Sequence, residues 1–470
     1  MNQITVVHQD GTSFELFSRE RVSGVTKATQ KMALLSDDLL SLSVVSATPL
    51  DFIIGDTINV YGKPYKLNQL PAIKKLGTRN YEYELELEGM QYELLDIQFQ
   101  MPENTYGDYL YTDLAGLLDA LIWNIERVGA TTWKINNTTE GNTAYKNMSV
   151  GTKNCLQVLQ EACSEYDVEF TVTISGSTRV LNIGNSVGTV HAFKLEYGKN
   201  KGLYQLERQN VNNAGITTRL FCYGSTENLG NAYRHTRLCL PDKERLGSYI
   251  EDTDAIAEFG IKEATKLWDD IKPQRVGAIT AVGEDILTFV DKNDGKTVYV
   301  NSQTYPAMFD LNEKDDEGNT KYLIAGVEAQ ITFQTGNLAG YTFDIHSYDH
   351  DTRTFVINKF TDENGLEFPS ALTAARQFAV GDEYIISEIN LPDSYIEDAE
   401  AELYEKGEEE LGNLVQPQVS YKLSLDEFFF ITLWGRDVDT EVLHVGDYIE
   451  VEDDAIGVDK AVRITRIERN

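Results

Sequence analysis

The side chains best suited to chemistry in this chain are the two histidines of "DIHSYDHDTRTF", residues 344 to 355. His346 and His350 stand among Asp344, Asp349 and Asp351, and imidazole and carboxylate are the groups that ligate zinc and related divalent metals. A zinc site needs three or four ligands converging at about 2 Å. On a strand, the apolar Tyr341, Phe343 and Ile345 face one way, while Asp344, His346 and Tyr348 share the wetter face. Asp349, His350, Asp351 and Thr352 then make the turn, and a hairpin tip offers at best two side chains that meet. The cluster reads as a solvated turn, with no metal and no cofactor expected.

The remaining candidates thin out quickly. His8, His191, His235 and His444 are isolated, and no GxSxG, HExxH or glycine-rich phosphate loop is present. "DLNEKDDEGNTKYL" is acidic enough for calcium, but its ligands miss the alternate positions of an EF-hand loop, so it reads as a solvated loop. Cys155, Cys163, Cys222 and Cys239 are too few for a disulfide scaffold, and the first two lie about 12 Å apart along one helix. All four read as reduced core residues. Carboxylate pairs abound, yet no nucleophile, base and orienting group can be named together, so no catalytic residue is assigned and the chain reads as a non-enzyme.

The elements that would position such residues are mostly strands. The chain has 470 residues, room for roughly two to four domains, with 25 Tyr, 35 Gly and only 10 Pro, as in a β-rich protein with many tight turns. Asp and Glu number 75 against 41 Lys and Arg, a formal net charge of −34. Such a surface repels nucleic acid and anionic lipid, which argues against a DNA-binding protein and leaves room for one past which DNA slides without sticking. The start has no basic segment followed by an apolar run, so no signal peptide is expected, and no apolar stretch approaches a membrane span.

Residues 1–104 alternate with period two. In "YEYELELEG", Tyr83, Leu85 and Leu87 oppose Glu82, Glu84, Glu86 and Glu88, giving one apolar and one acidic face. Residues 105–190 read as a small α/β domain, with a helix capped by Thr112, a second capped by Thr152, and a hairpin about Ser175, Gly176 and Ser177. Residues 191–392 return to strands, interrupted by a helix over "TDAIAEFGIKEATKLWDDIKP". Residues 393–470 hold an acidic helix and the strands "YKLSL", "FFFITLW" and "VGDYIEVED" to the end. Gly407 lies on that helix's buried stripe at a cost of about 1 kcal/mol relative to Ala, offset if another backbone packs closely there.

A phrase recurs in "FIIGDTINV", "FAVGDEYII" and "LHVGDYIEV". Each places a turn at Gly55-Asp56, Gly381-Asp382 or Gly446-Asp447, the glycine supplying permissive backbone and the aspartate bonding the next amides. The repetition points to repeated β modules.

The order of segments resembles the baseplate hub proteins of phage tails, the tail-associated or prophage tail endopeptidase-like family, which is similar to the hub part of contractile tails and type VI secretion spikes. The residues that carry the resemblance are "GDTINVYGKPYKL", "NYEYELELEGMQYEL", "YGKNKGLYQLERQNVNNAGITTRLFCYGSTENL", "TGNLAGYTFDI" and "GDEYIISEINLPDSYIEDAEAEL". The family implies two antiparallel β-barrel tube domains per chain, which with the small inserted α/β domain and the C-terminal helix plus strands read above makes a β-rich, multidomain α+β fold. It implies a homotrimeric ring in the virion tail, assembled in the host bacterial cytoplasm, with self, a tail tube or distal tail protein and a spike or fibre protein as partners. DNA would be present only in transit. Glu82, Glu84, Glu86 and Glu88 would then form an acidic stripe that either lines the lumen or faces outward. The chain stops at Asn470 after the last strand, without a peptidase, lysin or fibre, so the endopeptidase activity is not carried over. Two rivals remain, a tail-associated wall or peptide hydrolase and a receptor- or glycan-binding adhesin, separable by zymography and by glycan binding.

Overall fold

The computed structural model describes residues 4–20, 22–60, 62–101, 109–139, 146–210, 215–230, 233–241, 249–293, 304–362, 365–415, 419–434 and 443–469. The architecture is β-rich and divided among several cores, with few helices. The helices are α1 (Leu114–Arg127), α2 (Cys155–Glu165), α3 (Thr253–Phe259), α4 (Asp393–Leu414) and α5 (Glu427–Trp434). None is long and apolar enough to cross a membrane among the described residues.

The first sheet has nine strands, and Asn80–Gly89 lies within it, antiparallel to Asp38–Ser46 along its whole length. Its other edge is shared by Lys63–Lys66 at the Gly89 end and Ala72–Gly77 at the Asn80 end. The alternation sets which face is buried: Leu40, Leu42, Val44, Tyr65, Tyr83, Leu85 and Leu87 form one core with Val6, Leu16 and Ile58. The last strand of the chain, Arg466–Arg469, returns to pair with Ser23–Ala33 at the edge of this sheet.

Beside it, α1 and α2 pack on a three-stranded sheet in which Trp133–Asn137 runs parallel to Thr178–Gly184 and Glu169–Ser175 antiparallel to it. The helix starts differ by one or two residues from the sequence expectation. Asp113, not Thr112, caps α1 by accepting from the Gly116 amide, and Asn154, not Thr152, forms a reciprocal capping box with Gln157.

A seven-stranded antiparallel sheet holds the second large core, centred on Phe289, Phe333, Phe343, Phe355 and Tyr384. A further sheet brings together Val190–Tyr197, Gly202–Asn210, Val419–Leu425, Tyr448–Asp453 and Val458–Arg463, so strands far apart in sequence share one layer.

Two expected elements are replaced. The long helix over residues 253–272 ends at Phe259, where Gly260 takes φ +76°, and Glu263–Leu267 continues as a strand parallel to Arg219–Tyr223. "FFFITLW" is not a strand but the body of α5: the Asp426 carboxylate, buried and held by the Tyr204 hydroxyl, accepts the Phe428 amide and starts a helix. A run apolar at every position carries no period to distinguish the two.

Candidate functional site: an acidic sheet face and three Gly-Asp turns

Along Asn80–Gly89 the side chains separate as the pleat requires. Tyr83, Leu85 and Leu87 are buried, Glu84 and Glu86 are exposed, and Glu82 and Glu88 are half-buried at the two ends. Successive carboxylates on one face of a strand are about 7 Å apart, where two unit charges repel by about 0.6 kcal/mol in water. A neighbouring strand and the loop after Lys63–Lys66 temper this with a hydroxyl and two amides. The Ser43 hydroxyl donates to Glu84 at 2.7 Å, Gln69 to Glu86 at 3.3 Å, and Asn68 to Glu88. Lys74 stands opposite Glu82 and Lys66 opposite Glu88 in the strand register. The row can repel anions; it has no converging geometry for catalysis.

The three Gly-Asp turns are built alike. Gly55, Gly381 and Gly446 have φ of +98°, +95° and +101°, a region only glycine enters readily. Each glycine amide donates to the carbonyl of the residue just past a neighbouring strand: Leu67, Ile279 and Ile464, at 2.7, 2.8 and 2.7 Å. The amides of those same three residues return a bond to the carbonyls of Asp56, Asp382 and Asp447. Each aspartate also folds its side chain backwards, accepting from the amide three residues earlier: Ile53, Ala379 and His444, at 2.8, 2.7 and 2.8 Å. The expected bond to the following amides is therefore replaced by one to a preceding amide, which closes the turn before the strand leaves it.

Their electrostatics differ. His8 Nδ1 lies 2.7 Å from Asp56, and that hydrogen bond raises the imidazole above its ordinary pKa. Burial works to raise the Asp447 carboxyl, but bonds from His444, His191 and the amides of His444 and Thr189 outweigh it and hold the group well below the usual carboxylate range. Asp382 has only the Ala379 amide to offset burial, and its carboxyl is pushed up to about 7.

The histidine hairpin does not assemble a metal site. A register shift between Ile345 and Ser347 turns Tyr348 into the core against Phe355, so Tyr348 does not share the face of Asp344 and His346. His346 is exposed, and His350 faces the Arg353 guanidinium at 2.6 Å, a cation in place of a ligand. Among the described residues no group of three His, Cys, Asp or Glu side chains could hold a metal ion. All four cysteines are buried, and burial pushes the thiols of Cys155, Cys163 and Cys222 up to about 12, far from a thiolate nucleophile.

One polar cluster escaped sequence reasoning. Arg275 and Asp291, both fully buried, pair at 2.8 Å, and Tyr384 donates to the same carboxylate. Asn293 and the Pro306 carbonyl complete it. Tyr384 stands more than 90 residues from both Arg275 and Asp291, so the three carry no spacing signal. Sealed from solvent, the cluster fastens strands and has no face for a substrate.

No protein-family model and no curated protein matches the chain. Solved structures similar to it include the 43 kDa tail protein of prophage MuSo2 from Shewanella oneidensis, with 9% identity over 99% of this chain and 93% of that one, and a TM-score of 0.48. The prophage tail protein gp18 from Listeria monocytogenes EGD-e is similar with 11% identity, 86% and 100% coverage and a TM-score of 0.39. A tail protein from Neisseria meningitidis MC58 has 9% identity, 84% and 98% coverage and a TM-score of 0.36.

Proposed function

We propose that this chain is a structural baseplate hub protein of a phage or prophage tail, three copies of which form a ring joining tail tube to tail tip and letting DNA pass. The observation that carries the reading is where the resembling phrases fall. "GDTINVYGKPYKL" and "NYEYELELEGMQYEL" build the Gly-Asp turn and the acidic strand of the first sheet. "TGNLAGYTFDI" and "GDEYIISEINL" build strands of the second large sheet and its matching turn. The two large sheets would be the two tube modules of each copy, with a tube or distal tail protein above and a spike or fibre below. Glu82, Glu84, Glu86 and Glu88 would line the lumen and repel passing phosphates. The role is mechanical and electrostatic, and no residue is assigned to catalysis.

Light scattering of the purified chain, with negative-stain images of the same peak, tests this. The expected result is a trimeric ring with a tube-sized hole. Reversal of the stripe, E82K/E84K/E86K, then makes rings retain linear DNA that the unaltered rings release. A compact monomer at high concentration that forms no ring with tube protein would overturn the reading.

A further inference from the structure

Two sheet edges in this chain are exposed and chemically complementary. Ala72–Gly77 pairs with Asn80–Gly89 on one side and, among the described residues, with no strand on the other; all six of its residues are exposed. It is not polar throughout: Ile73 and Leu76 are 61% and 51% exposed, and Leu70 just before the strand is 63% exposed. Lys74, Lys75 and Arg79 make this arm basic within a chain of formal charge −34. Ala281–Val282 is the end strand of the seven-stranded sheet, paired with Thr288–Val290 alone among the described residues. Both of its residues are exposed, Val282 by 47%, and after Gly283 the exposed Glu284 and Asp285 stand in the turn that leads to Thr288–Val290.

An exposed edge with uncovered apolar side chains is a template for strand addition. Arm on arm would set lysine against lysine, which disfavours a twofold contact. Arm on the 281–285 edge, run antiparallel, sets Lys75 beside Glu284 and Lys74 beside Asp285, and brings the Leu76–Gly77 end of the arm to Val282. Resting on the reading of this chain as a ring-forming hub, we propose that the arm Ala72–Gly77 of one copy pairs edge to edge with residues 281–285 of the next copy. The contact is heterologous, so it propagates head to tail and closes when the rotation closes. It would join the first large sheet of one copy to the second large sheet of its neighbour.

The test is a charge swap in the full chain, read by light scattering. K74E/K75E and E284K/D285K should each raise the concentration at which the assembly half-dissociates by at least tenfold, and the four changes together should restore it. K75C/E284C should give chains linked through a disulfide on oxidation. Unaltered assembly by K74E/K75E would overturn this inference while leaving the ring reading standing, the lysines then only guarding a bare edge. A monomeric parent chain that yields no K75C/E284C cross-link would overturn both.

Discussion

Asp382 is the one aspartate of the three Gly-Asp turns with no histidine against it among the described residues, and it is nearly buried beside the backbone of Gly336, where a Cβ would lie 2.3 Å from its carboxyl atoms. Burial raises its pKa from 3.8 to about 7. The folded state therefore holds a proton that the unfolded chain has released. This contribution is fully present below the unfolded value near 4 and is lost as pH rises through about 7. D382N keeps an acceptor for the Ala379 amide and removes the titration. The variant should match the parent near pH 4 and exceed it at pH 8 by an amount on the order of 2 to 4 kcal/mol, taking about 1.4 kcal/mol per unit. Urea unfolding of both chains at a series of pH values checks this; parallel curves would refute it. His8 works in the opposite partnership: its raised pKa ties part of the first turn's stability to a protonated imidazole, lost as pH rises through the folded value.

At the scale of elements, α4 shows what sequence can and cannot supply. Its 22 residues, its acidic surface and its stripe of Ala399, Leu403, Gly407 and Leu411 all follow from helical spacing. What meets Gly407 does not: the neighbours are the side chains of Cys222 and Ile250, and a Cβ there would lie 2.8 Å from the Cys222 sulfur and 3.1 Å from Ile250. G407A gains about 1 kcal/mol of helix propensity but overpacks the site at a cost of about 1 to 3 kcal/mol, so a net loss is expected. In G407A/C222A the sulfur is gone, and a double-mutant cycle by denaturant unfolding should show favourable coupling of at least about 0.5 kcal/mol. Additive losses would mean that the contact does not limit the glycine. The acidic face of Asn80–Gly89 and the three strands within residues 330–357 were legible because period two is unambiguous. Tyr348 was not, since one extra residue in a strand reverses every side chain after it. Nor was α5, whose start depends on Tyr204 orienting Asp426 from more than 200 positions away.

At the scale of the whole molecule, the excess of 34 negative charges is a sum that no local pair can cancel. Exposed ion pairs such as Lys406 with Glu409 contribute at most about 1 kcal/mol each and weaken with salt, whereas self-repulsion opposes folding and is itself relieved by salt. With charge so one-sided, the second effect should win, and the melting temperature should rise between 0.01 and 0.5 M NaCl as the screening length falls from about 30 Å to about 4 Å. The acidic strand gives this a local readout. E82Q/E84Q/E86Q removes three adjacent repulsions of about 0.6 kcal/mol each, less the attraction of Lys74 for Glu82, so a gain on the order of 1 kcal/mol is expected at 0.01 M. The gain should vanish at 0.5 M; an equal effect at both salts would show that packing and not charge had changed. If the stripes of several copies face one lumen, repulsion between copies adds to repulsion within each. Dissociation of the assembly should then respond to salt more steeply than unfolding of the chain, and the triple substitution should flatten the first dependence more than the second. Equal flattening of both would place the stripe on an outward face.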